Sequence, residues 1–262
     1  MSEPLVLVEH DDHAAILTLN RPAKKNAMNN ALLDQLLAAV QSAAADDDVR
    51  AIIIKGAGKV YSSGRDFSMF SEDAILQDRS VDASVDVFLD VLTLLIETPK
   101  PTIASVRGIA LGGGQATTLA CDFVVAERDA SFGNVEMKYG FPAAMNTVLL
   151  TRHVGRRIGL EIAITGQLYT AEQYHRYGLV NRLADPGALD AVTKDFVKTL
   201  TDLAPWAVER TKATYRQAED MDLNGSMHIG NQLNQRLRLN GQLAAVHSGD
   251  ANVKDALKGT IK

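Results

Sequence analysis

Glu136 stands in the segment Ser131-Phe132-Gly133-Asn134-Val135-Glu136-Met137-Lys138-Tyr139-Gly140-Phe141-Pro142, one carboxylate among mostly apolar or aromatic neighbours. A carboxyl group in such surroundings is poorly hydrated when ionised, so its pKa rises and it exchanges protons near neutral pH. The alternative is a surface glutamate at the end of a strand. A second segment, Gly108-Ile109-Ala110-Leu111-Gly112-Gly113-Gly114, sets three glycines before a helix-like stretch. Each glycine costs about 0.5–1 kcal/mol of chain entropy in an ordered element, and close backbone approach is the usual compensation. A helix entered this way offers unsatisfied N–H groups and a partial positive charge to a phosphate or a developing oxyanion. The lysine-plus-hydroxyl ending of a phosphate loop is missing, because Gln115 and Ala116 follow, and the G-x-G-x-x-G spacing also fails. An oxyanion site and plain tight packing stay open. The third segment is Tyr61-Ser62-Ser63-Gly64-Arg65-Asp66. Gly64 permits a backbone geometry that lets the Arg65 N–H turn into a cleft, while Asp66 suits the cap of a following helix. A plain turn with a capping aspartate is the alternative here.

The surrounding elements place these segments on one kind of scaffold. Leu5 to Val8 and Ala14 to Leu19 read as a hairpin across Asp11-Asp12-His13. Leu32, Leu33, Leu36, Leu37 and Val40 recur at helical spacing ahead of the apolar strand Ala51 to Ile54. Val81, Val85, Phe88, Leu92 and Leu95 mark a second amphipathic helix, stopped by Pro101 and followed by the strand Thr102 to Val106. Gly112 to Ala120 reads as a helix and Phe123 to Ala126 as the next strand. This alternation predicts a layered α/β fold. From about Asp190 onward the pattern is helical, with Leu223, Met227, Leu233, Leu237 and Leu243 as apolar positions of a long last segment. Ser71 to Asp86 is polar and reads as a mobile loop that could line a pocket.

Composition narrows the function classes. The chain has 262 residues, 46% of them hydrophobic, enough to bury a full core. Lys and Arg total 27 against 32 Asp and Glu, a net charge of -5, so no broad positive field draws nucleic acid or an anionic membrane. No apolar run approaches the roughly 20 residues that a membrane span needs, and Met1 to His10 lacks a secretory signature. The lone Cys121 fits a reducing cytoplasm, and no histidine pairs with a carboxylate or thiol at a metal-ligand spacing, so no metal is expected. Ser62 and Ser63 lack the G-x-S-x-G context of a serine hydrolase.

Taken in order, the segments resemble the crotonase, or enoyl-CoA hydratase/isomerase, superfamily. Leu19-Asn20-Arg21-Pro22 and Asn26-Ala27-Met28 precede Ser63-Gly64-Arg65-Asp66, the Gly108 to Gly114 run, and Phe132-Gly133 with Glu136, Gly140 and Pro142. Thr165-Gly166 and the stretch from Ala171-Glu172 to Gly178-Leu179-Val180-Asn181 complete the match, which covers roughly Ala14 to Leu183. The resemblance implies a layered β-β-α spiral core over residues 1–190 and a C-terminal helical oligomerisation region over 191–262, in trimers or pairs of trimers. It also implies an acyl-CoA thioester as substrate, with coenzyme A part of that substrate and no separate cofactor.

By motif position the thioester oxygen would be held by the N–H groups of Arg65 and Gly113, with Glu136 as acid/base. Lys24 and Lys25 would meet the phosphates of coenzyme A, and Ser63, Asp66, Phe67, Met69, Gly112, Ala116 and Met137 would border the thioester and acyl group. Family hydratases commonly carry two glutamates, and here the first position is Ala116. Met145 and Asn146 stand where many relatives have glycines. One carboxylate suits a 1,3-proton shift, as in the family's Δ3,Δ2-enoyl-CoA isomerases. The Glu-x-x-x-Gly-x-Pro spacing from Glu136 to Pro142 is also similar to hydroxycinnamoyl-CoA hydratase-lyases, and a non-catalytic acyl-CoA-binding member is a further alternative.

Overall fold

The computed structural model describes residues 3–66, 68 and 86–239. Phe67, Met69, Val81, Val85, Leu243 and nearly all of the polar loop beginning at Ser71 lie outside the described residues. Strands β1 (Val6–Asp11) and β2 (Ala14–Leu19) form the expected hairpin, with Val6 opposite Leu19 and Asp11 opposite Ala14. Helix α1 (Asn30–Ala45) starts where the Asn29 side chain accepts the Leu32 N–H at 3.0 Å. It leads to β3 (Ala51–Gly56), which pairs parallel to β2. Helix α2 (Val87–Glu97), capped by Asp86 on the Phe88 N–H, and β4 (Thr102–Val106) complete the second β-α-β unit.

After β5 (Ile109–Leu111), α3 (Gly113–Ala120), β6 (Phe123–Glu127) and β7 (Ser131–Gly133), helices α4 (Ala144–His153) and α5 (Arg156–Thr165) lead to β8 (Tyr169–Thr170), α6 (Ala171–Tyr177) and β9 (Arg182–Ala184). Six strands form one sheet in the order β1-β2-β3-β4-β6-β9, and β5-β7-β8 form a second.

Alternation along β3 shows why its sequence is a continuous apolar run. Ile52 and Ile54 face one core, shared with Leu32, Leu33 and Leu36 of α1 and Val91, Leu92 and Leu95 of α2. Ala51 and Ile53 face another, shared with Leu189 and Val197 of α7 (Leu189–Thr201). A parallel strand covered on both faces needs no polar side. Because β2, β3 and β4 run parallel, the chain leaves all three at one edge, the usual place for ligands in such sheets. The segments leaving there are 20–28, 57–66 and 107–113.

The boundary expected at residue 190 falls at the start of α7, and that helix lies on the outer face of the large sheet with Thr193 Oγ1 2.9 Å from Ser105 Oγ. The chain divides into compact units of 1–209 and 210–262. In the second unit α8 (Pro205–Glu219) ends and α9 (Leu223–Leu239) begins at Asp222, whose carboxylate accepts the Gly225 N–H at 2.7 Å. Tyr215, Leu223, Met227 and Leu239 are exposed there. Among the described residues no helix is long and apolar enough to cross a membrane.

Candidate active site

The loop carrying Arg65 is stitched on both sides. Toward β5, the Ser62 N–H donates to the Ile109 carbonyl and the Leu111 N–H to the Ser62 carbonyl, both at 3.0 Å. On the other side, the Met28 N–H donates to the Gly64 carbonyl at 2.8 Å and the Asp66 N–H to the Met28 carbonyl at 3.0 Å. Met28 therefore bonds the residues flanking Arg65, and in a parallel bridge this turns the Arg65 N–H to the opposite side. The head of α3 lies on that side. A Cβ placed on Gly113 would sit 3.3 Å from the Arg65 nitrogen, and one on Gly64 would sit 3.2 Å from the Gly113 nitrogen. Gly64 has φ +101°, and it permits this close approach, as its sequence position predicts. The Gly113 N–H is the first of α3, one that the helix itself leaves unsatisfied. The arginine side chain points elsewhere, with its guanidinium 5.1 Å from the centre of the Phe88 ring and donating to Asn30 at 3.4 Å.

Glu136 reaches this place from the second sheet. The Gly112 N–H donates to the Gly133 carbonyl at 2.9 Å, fastening the glycine run to the end of β7. A 3-10 turn over Val135–Tyr139 follows and closes at Gly140, φ +79°. Its glutamate lies against Gly112: a Cβ there would fall 3.0 Å from Glu136 Oε2 and 3.5 Å from Oε1. Oε2 is buried and has no hydrogen-bond partner among the described residues, whereas Oε1 faces Asn146 Nδ2 at 3.4 Å. Burial pushes the carboxyl above its ordinary pKa, against smaller opposing contributions from its own backbone N–H and from Asn146. An unsatisfied, desolvated carboxylate oxygen against the glycine that heads α3 suits proton exchange.

The other predicted residues surround this centre. Lys24 and Lys25 are exposed on a turn held by the buried Asn26, whose side chain accepts the Arg21 N–H and donates to the carbonyls of Ala57 and Val60. The Ser63 N–H donates to the Lys25 carbonyl at 2.9 Å, so the lysine turn is tied to the Arg65 loop. Asp66 pairs with Arg21 at 2.9 Å and accepts the Ser68 N–H and hydroxyl. Gly112 separates Glu136 from α3, and Met137 is half-buried beside it, with its Cβ 3.5 Å from where a Cβ on Gly166 would sit. Ala116 has no exposed surface. Phe67 lies outside the described residues.

Residue types alone gave no sign of a buried polar chain behind the site. The Tyr174 hydroxyl donates to Gln115 Oε1 at 2.7 Å, and Gln115 Nε2 donates to Asn134 Oδ1 at 2.9 Å and Asn146 Oδ1 at 3.3 Å. Gln115 and Asn134 interrupt apolar stretches, the one sequence signal such a chain leaves. Among the described residues no group of three His, Cys, Asp or Glu side chains could hold a metal ion.

A sequence model described as enoyl-CoA hydratase/isomerase matches residues 9–243. A putative enoyl-CoA hydratase of Thermus thermophilus is 32% identical over 234 residues, covering 88% of this chain and 91% of its own. The crystal structure of an enoyl-CoA hydratase from Mycobacterium smegmatis superposes with a TM-score of 0.83 at 30% identity, over 94% of this chain and 97% of that one. A monofunctional enoyl-CoA isomerase from M. smegmatis gives 0.74 at 29% identity, over 86% and 99%. With a family match over most of its length and these likenesses in sequence and structure, the chain belongs to the enoyl-CoA hydratase/isomerase family and has the crotonase fold.

Proposed function

We propose that this protein is an enzyme that binds an acyl-CoA thioester, holds its carbonyl oxygen on the N–H groups of Arg65 and Gly113, and moves a proton on the acyl chain with Glu136. The observation that carries the reading is Glu136 Oε2, buried and without a hydrogen-bond partner among the described residues, against the glycine that heads α3. As Glu136 takes a proton from the α-carbon of a β,γ-unsaturated thioester, charge moves onto the carbonyl oxygen, where two backbone donors stabilise it. The neutral carboxylic acid then returns the proton to another carbon, and the double bond shifts. Hydration needs water activated and a proton delivered to carbon, and Ala116 supplies no second carboxylate. The 1,3-shift is therefore the reaction this site supports best. The spacing from Glu136 to Gly140 and Pro142 favours, as second reading, a hydratase-lyase acting on a hydroxycinnamoyl-type thioester.

Lys24 and Lys25, exposed on the turn tied to Ser63, suit the phosphates of coenzyme A. Proton transfer leaves the oxidation state of the substrate unchanged, so no cofactor beyond that coenzyme A is required. The exposed Tyr215, Leu223 and Met227 suit burial in a homotrimer or hexamer. Glu136→Gln is expected to lower turnover of an enoyl-CoA substrate by roughly 10²–10⁴ while leaving the acyl-CoA dissociation constant nearly unchanged. Wild-type turnover in the variant would remove Glu136 from the mechanism.

A further inference from the structure

Asn146 touches both halves of the site and is fixed from behind. It is buried in the first turn of α4, and Nδ2 lies 2.9 Å from the Gly112 carbonyl oxygen and 3.4 Å from Glu136 Oε1. A carbonyl and a carboxylate both require a donor, so the amide nitrogen must be the end that faces them. The other end is equally determined. Asn146 Oδ1 faces Gln115 Nε2, and Gln115 cannot turn its oxygen there, because Oε1 accepts the Tyr174 hydroxyl and Nε2 also donates to Asn134. Tyr174 is almost wholly buried, which raises its pKa and keeps its proton on the oxygen. Asn134 is held in turn, its Nδ2 donating to the Ile162 carbonyl at 3.1 Å. Every amide in this polar chain has one orientation that satisfies its neighbours, and the chain ends on one oxygen of Glu136.

We propose that Asn146 is a positioning residue that engages Glu136 Oε1 and ties it to the Gly112 carbonyl, so that Oε2 is the oxygen that exchanges the proton. The inference rests on Glu136 being the acid/base group. Its physical content is that a donor on Oε1 favours the ionised carboxylate, moderating the effect of burial. Burial, the backbone N–H of Glu136 and Asn146 are the groups that set this carboxyl, and no charged side chain of the described residues contributes. Lys138, the cationic neighbour on the same turn, lies instead against Gly166.

Titration of Glu136 by carboxyl carbon-13 NMR, its signal assigned by loss in Glu136→Gln, tests the inference without needing a substrate. In Asn146→Ala the midpoint should rise by about half to one pH unit, the scale of losing a long hydrogen bond to a charged group. With an active thioester, the acid limb of kcat/KM should move by the same amount and kcat should fall more than KM rises. An unmoved midpoint and acid limb in a folded variant would overturn the inference and make Asn146 only a structural support for Gly112. If Asn146→Ala does not fold, the wild-type protein decides: the Asn146 side-chain N–H₂ resonances should titrate with the Glu136 midpoint and lose that titration in Glu136→Gln. Resonances indifferent to Glu136 would overturn it equally. A protein that shows the NMR coupling but turns over no thioester would refute the proposed function and leave the Asn146–Glu136 contact standing.

Discussion

Glu136 and Asp66 carry opposite signs in their effect on stability. For Glu136 burial outweighs its hydrogen bonds, and its pKa is raised. The folded chain thus holds this proton more tightly than the unfolded chain. The resulting cost is absent below the unfolded value near 4.3, grows as pH rises through it, and is complete above the folded pKa. For Asp66 burial acts in the same direction, but hydrogen bonds from Arg21 and Ser68 and the Arg21 charge prevail and lower the pKa. Its stabilisation is present above the unfolded value and is lost as pH falls through the folded one. Glu136→Gln should therefore melt above the wild type at pH 7–8. The gap should close near pH 4. Calorimetry showing no gap at neutral pH would mean that burial does not strain this carboxyl. Such a cost is tolerable where a proton acceptor is needed, and it accounts for Glu136 Oε2 being buried without a hydrogen-bond partner among the described residues.

At the level of elements, the entry to α3 concentrates the constraints. Gly112 has φ +49° and ψ -116°, a conformation closed to side chains in practice, and a Cβ there would press on Glu136 Oε2. Gly114 is required for another reason, since a Cβ would come within 2.8 Å of the Ser62 carbonyl oxygen. Gly112→Ala should cost about 1–3 kcal/mol of stability and lower turnover more than Glu136→Gln lowers thioester affinity. Denaturation together with steady-state kinetics checks this, and an active, equally stable variant would contradict it. The glycine run thus announced close approach in the sequence, and the long apolar runs announced the parallel strands, because Ala51–Ile54 is buried on both faces. The small sheet was not legible: β5 and β7 have three residues each and β8 has two, too few to show a period. The 3-10 turn under Glu136 was hidden likewise. The contact from Asn146 to Glu136 depends on how α4 folds back over the glycine run, and no local spacing encodes it.

For the whole molecule, the site exists because stretches of chain leaving strands of two sheets are laced together. Met28, Arg65, Gly113 and Glu136 come from the segments after β2, β3, β5 and β7, and backbone bonds join each to the next. Family membership over residues 9–243 follows from that common framework, while Ala116 and Asn146 distinguish the chemistry expected of this chain. The central claim is that an acyl-CoA bound here exchanges a carbon-bound proton with Glu136. Incubating the purified protein with a panel of acyl- and enoyl-CoA thioesters in heavy water, followed by mass spectrometry of the acyl group, tests it most directly. Deuterium should enter the α- or γ-carbon with the wild-type protein and be strongly reduced with Glu136→Gln. Binding without exchange across the panel would contradict the claim and identify a protein that holds acyl-CoA without transforming it.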